Sequence, residues 1–117
     1  MVNFLIEKGA TVDVDIQRGY PVTFNDPALT EEMAPTLERV GGDKTVRIDA
    51  ITGAEDFSFF QKEIPGLFLM IGGMPPGKDP SEAAPHHTPD FYIEESSMKT
   101  GVRALANLTI DYMLQAQ

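Results

Sequence analysis

PGLFLMIG, from Pro65 to Gly72, is a continuous apolar run and reads as a strand covered on both faces, the kind found in the middle of an α/β sheet. Working outward, Glu55 to Lys62 before it is short and helix-like, with Phe57 and Phe60 on one side. Lys44 to Ala50 (KTVRIDA) reads as another strand. Further upstream, Leu29, Met33, Leu37 and Val40 share one helical face, opened by Asp26-Pro27 and stopped by Gly41-Gly42. Pro35 inside that helix removes one hydrogen bond and predicts a kink. Thr11 to Gln17 (TVDVDIQ) alternates strictly, which predicts a half-buried strand. Val2 to Lys8 predicts one or two helical turns, ended by Gly9. Downstream, Gly73 to Asp90 is a long loop with no hydrophobic period, and loops of that length are usually functional. Ser97 to Leu114 closes the chain as a helix with Met98, Val102, Leu105, Leu108 and Tyr112 on one face, capped by Ser96-Ser97. Strands alternating with helices predict an α/β fold, a layer of helices on a sheet.

At 117 residues the chain fits about one domain. Its net charge of −9 has the wrong sign for a phosphate backbone, so no nucleic acid is expected as a partner. With no cysteine, disulfides, thiol nucleophiles and Cys-ligated zinc are excluded. The longest apolar stretch, Pro65 to Gly73, falls far short of the ~20 residues of a membrane span, so no membrane is expected either. Glu7 and Lys8 interrupt the sole candidate signal-peptide core, and a cytoplasmic location is the default.

Gly72 to Asp79 (GGMPPGKD) resembles a phosphate-cradling loop up to its last position. Pro75 and Pro76 delete two of the backbone donors such a loop needs, and Asp79 puts a negative charge where a hydroxyl belongs; the segment is a turn. His86-His87 is the only histidine pair. Adjacent residues in an extended loop point to opposite sides, so at most one faces a given site. Two readings stay open: loop histidines hydrogen-bonded to backbone, or a ligand-binding rim beyond the end of a buried strand. Gly53 to Ser58 (GAEDFS) starts a helix after the second strand. Its free N–H groups suit an anion, while Glu55 and Asp56 serve equally as dipole partners.

Three elements taken together resemble a known family: RGYPVTFNDPALTEEM, then GAEDFSFFQKEIPGLFLMIGG, then PHHTPDFYIEE with its closing amphipathic helix. The chain resembles the C-terminal portion of the aminoacylase/carboxypeptidase metallopeptidases, in the branch of hippurate hydrolases, N-acyl-amino-acid amidohydrolases and auxin-conjugate hydrolases. That resemblance, from about Ala10 to Leu114, implies an α/β fold built as a partial three-layer-type sheet with helices, the C-terminal portion of the catalytic domain of a dinuclear-metal hydrolase. It implies that residues 1–18 end an inserted lid domain that dimerises, and that residues 19–117 return to the catalytic domain. Two divalent metal ions, zinc or manganese, are implied in the whole enzyme, with little tight binding by this piece alone. His87, directly before Thr88-Pro89, matches the last metal ligand; His86 does not. Gly53 and Ala54 match the turn near the substrate carboxylate. Tyr20 stands before Pro21 where some relatives carry a carboxylate-binding arginine. The remaining metal ligands and the glutamate base of such an enzyme have no match here, so no catalytic residue is assigned and the piece is expected to be inactive alone. The implied substrates are N-acyl or peptidyl amino acids, and a homo-oligomer is expected from bared core surface. The rival reading is a non-catalytic α/β binding or interaction module.

Overall fold

Asp26-Pro27 opens a long helix. The Asp26 carboxylate accepts a hydrogen bond from the Leu29 amide (2.8 Å), and Pro27 occupies the first turn, where its missing N–H is no loss. From there helix α1 runs Pro27–Gly41 in the computed structural model, which describes residues 7–9 and 11–115. The helix continues through Pro35 and ends where the glycines predict: Gly42, at φ 60, donates its amide to the Glu38 carbonyl. A single 3-10 turn, Gly42–Lys44, follows. Helix α2 is short, Phe57–Phe60, and helix α3 runs Ser96–Gln115. The serines do not cap α3. Glu94 does: its carbonyl accepts the Ser97 amide (3.1 Å) and hydroxyl (2.8 Å), and its carboxylate accepts the Ser96 amide (3.3 Å). The turns expected over Val2 to Lys8 lie almost wholly outside the described residues.

Helices α1 and α3 pack on each other. Met33 and Thr36 are the buried residues of α1, and Ala104 is that of α3. Burying a methionine of that kind is worth about 1.5–3 kcal/mol. A polar latch accompanies it: Thr36 donates its hydroxyl to the Asp111 carboxylate, and Arg39 bonds Asp111 (2.7 Å) and Asn107 (3.2 Å). The Thr36 hydroxyl first, and then Arg39, hold the Asp111 carboxyl below the ordinary carboxylate range. A depressed folded-state pKa stabilises the folded form above the unfolded value and loses that contribution as pH falls through the folded one. Docking of α3 on α1 should therefore weaken in acid, beginning near pH 4 and continuing below it, and Asp111→Asn should remove that dependence. Tyr112 fluorescence across an acid titration reads this; an acid transition identical in both proteins would show that the latch does not carry it.

The α/β expectation, with its partial three-layer-type sheet, is overturned: among the described residues there is no strand, and the regular elements are helices alone. Thr11–Gln17, Lys44–Ala50 and Pro65–Gly72 carry strand-like patterns but pair with nothing in a ladder. A hydrophobic pattern states which side chains suit burial; it does not supply the neighbouring backbone that a ladder needs. At Phe68 a side chain takes that place. Asn25 accepts the Phe68 amide (2.7 Å) and donates to the Phe68 carbonyl (2.7 Å), so both groups a strand would offer are already used. Gln61 braces this bridge, accepting the Phe24 amide (3.0 Å) and donating to the Gly66 carbonyl (3.3 Å), which also accepts the Asp26 amide (3.0 Å). Gly66 is required there, because a Cβ would lie 2.7 Å from Gln61 Cγ and 3.2 Å from Phe57 Cζ.

The apolar faces of Thr11–Gln17 and Lys44–Ala50 remain largely open to solvent, with Ile16 81% and Val46 71% exposed, whereas Leu67, Phe68 and Leu69 are half-buried. On α3 the expected inward face is also corrected: Met98, Val102, Leu105 and Tyr112 are exposed, while Ala104 turns inward. The radius of gyration, 19.7 Å, exceeds the ~13 Å of a compact domain of about 100 residues. The fold is two docked helices with long irregular arms.

Candidate functional site

The long loop that ends in the histidines is pinned at its base. The Glu94 amide donates to the Gly73 carbonyl (2.6 Å), and a Cβ on Gly73 would lie 3.0 Å from Ile93 Cγ2. Within the loop, GGMPPGKD is a turn, as its prolines dictate: Lys78 donates to the Pro75 carbonyl (3.3 Å) and Gly77 takes φ 80. Asp79 then opens the 3-10 turn Pro80–Glu82 by accepting the Ser81 amide and hydroxyl (2.8 Å each), which lowers its carboxyl pKa.

The histidine segment folds back on itself. Thr88 donates its hydroxyl to the Pro85 carbonyl (2.7 Å), and the Phe91 amide donates to the Thr88 carbonyl (3.1 Å). His87 sits at the apex with φ 64, alone among the described non-glycine residues in having a positive φ. Histidine is enriched in that region, yet any residue with a Cβ pays about 1–2 kcal/mol to enter it. The His86 ring meets Phe91 edge to face at 4.7 Å, while the two imidazoles lie 6.4 Å apart at 73°. The two rings are thus set nearly at right angles, and the segment is a turn, not the extended loop expected. Neither imidazole takes part in a hydrogen bond among the described residues. The exposed His87 ring keeps its nitrogens available for one coordination bond. No three of His, Asp and Glu come together as a metal site among the described residues.

The other expected site residues lie elsewhere. Gly53 and Ala54 are exposed, and a Cβ on Gly53 would meet nothing within 4 Å. Tyr20 packs edge-on against Phe59 at 5.6 Å, which places it beside the helix that GAEDFS leads into. That helix has 4 residues, too few for an anion site of its own, and Ser58 is turned inward to donate to the Glu55 carbonyl (2.5 Å). No described contact joins His87 to Tyr20, Gly53 or Ala54. Sequence reasoning missed the Asn25–Gln61 bridge and the contact of Phe91 with His86. The signals were present: an asparagine before Asp26-Pro27, and an aromatic residue one helical-turn length after His87.

The sequence profile of peptidase family M20/M25/M40 matches residues 4–111. The chain belongs to that family. That family is one of peptidases, and its enzymes depend on metal. The chain is 32% identical over 105 residues to thermostable carboxypeptidase 2 of Saccharolobus solfataricus, covering 89% of this chain and 26% of that one. It is 32% identical over 97 residues to IAA-amino acid hydrolase ILR1-like 4 of Arabidopsis thaliana, covering 82% and 22%. It thus spans about a quarter of the length of the curated relatives it matches. No solved structure matches at significance. The resemblance to amidohydrolases, carboxypeptidases and auxin-conjugate hydrolases is borne out by these matches. No helix among the described residues is long and apolar enough to cross a membrane.

Proposed function

We propose that this M20/M25/M40 chain serves as the C-terminal piece of a metal-dependent amidohydrolase acting on N-acyl or peptidyl amino acids. The observation that carries the reading is His87: an exposed imidazole at the apex of a pinned turn, within the matched residues. One such donor fits a divalent metal, zinc or manganese, provided the other ligands come from outside these residues. When bound, a pair of such metals would activate water and polarise the amide carbonyl. Gly53 and Ala54 would line the substrate's carboxylate end, with Tyr20 in place of an arginine and so contributing contact without charge pairing. Residues 1–18 would close the lid domain and 19–117 the catalytic domain, in a cytoplasmic enzyme.

The isolated chain should bind zinc weakly, because catalytic sites use three or more protein ligands and none are clustered among the described residues. It should also self-associate, since Met98, Val102 and Leu105 line one exposed side of α3. Calorimetric titration and light scattering test both, beside hydrolysis of N-benzoylglycine by a full-length protein that carries this sequence. A one-to-one zinc endpoint at or below micromolar metal would overturn the shared-site reading. A monodisperse monomer at millimolar chain would remove the association, and a full-length protein inert toward acylated amino acids would remove the activity.

A further inference from the structure

We propose that His86 and Phe91 form an aromatic clasp that holds the backbone of His87 in its left-handed conformation and so aims the His87 imidazole, which makes His86 a positioning residue. The inference rests on the reading of His87 as a metal ligand and gives its neighbour a task that the sequence left unassigned. A residue with a Cβ leaves the left-handed region unless its surroundings over-determine it. Here the chain enters and leaves the apex under constraint: the Thr88 hydroxyl holds the Pro85 carbonyl (2.7 Å), and the Phe91 amide holds the Thr88 carbonyl (3.1 Å). Those bonds link residues 85 to 91 without touching His87 itself. The His86 ring, set 65° to Phe91 at 4.7 Å, is the side-chain stack that spans the apex beside the Thr88–Pro85 bond, joining the residue just before His87 to the residue closing the turn. The edge-to-face arrangement is the one aromatic quadrupoles favour. It holds His86 much nearer to Phe91 than to His87, whose ring stands 6.4 Å off at 73°. The same contact thus fixes the apex and leaves one histidine free.

Isotope-labelled chain at a pH where both imidazoles are neutral gives the test, with no metal present. The His87 amide–Hα coupling and carbon shifts report the left-handed backbone, and an upfield ring-current shift of the His86 ring protons reports the stack on Phe91. Phe91→Ala and His86→Ala should each lose the left-handed signature at His87, while Phe91→Tyr and His86→Phe keep it. Amide shifts in α1 and α3 serve as the control for general unfolding. A left-handed His87 surviving both alanine variants would overturn the clasp, leaving the turn to Thr88 and Pro89 alone. So would a wild-type chain with averaged couplings at His87. Because these readouts need no metal, they are independent of whether His87 ligates one, and either idea can fail without the other.

Discussion

His87→Ala, made in a full-length protein that carries this chain, should lower hydrolysis of N-benzoylglycine by more than about 100-fold and release metal. Outer-shell partners of a metal site are worth about 10–100-fold, and a direct ligand exceeds that because it sets both metal affinity and the activation of bound water. His86→Ala should fall within the outer-shell range of about 10–100-fold in metal affinity and keep its metals when metal is saturating. The distinction is geometric: both rings are exposed, but the His86 ring stacks on Phe91 at 4.7 Å, whereas the His87 ring has no contact with Phe91 and stands at the apex of the turn. Activity and metal content measured side by side decide the matter. Metal lost in His86→Ala and kept in His87→Ala would reverse the assignment. Normal hydrolysis by both variants would take the metal role away from this loop.

The second large effect is expected at Asn25. Asn25→Ala deletes both 2.7 Å bonds to Phe68 and one partner of Gln61, with no backbone nearby to replace them. At about 0.5–1.5 kcal/mol per hydrogen bond, the two losses correspond to about 5- to 150-fold faster amide exchange at Phe68. Asn25→Asp is not a rescue, since it keeps the acceptor for the amide but sets a carboxylate against the carbonyl. Phe24, tied through Gln61, should gain exchange with it. Unchanged protection at Phe68 in the alanine variant would mean that the bridge does not hold this segment.

Both predictions turn on residues whose importance was unevenly legible. Helix α1 was readable because its signals are local: Asp26 and Pro27 begin it, and Gly41-Gly42 ends it. The extent of α3 was readable for the same reason. Its inward side was not, because counting apolar residues favoured Met98, Val102 and Leu105. The packing uses the small Ala104, and a carboxylate, Asp111, meets Thr36 across the interface. The sheet was misread at its most persuasive segment: PGLFLMIG has the composition of a covered strand, yet its Phe68 backbone is bonded to a side chain 43 positions away. Pairing over such distances leaves no periodic trace. At the site, Thr88-Pro89 marked His87 by motif, but neither the sign of its φ nor the stack of His86 on Phe91 follows from residue order.

The closing bond between Glu94 and Gly73 separates the two jobs of the long loop. Whatever happens to the chain between its pinned ends, the start of α3 stays tied to the end of the apolar segment. Loop-closure entropy rises only logarithmically, by about 0.6 kcal/mol for each doubling of length. The proline-rich stretch ahead of the histidine turn is thus a region where insertions are thermodynamically inexpensive, a natural reservoir of length variation that leaves the turn at its end undisturbed.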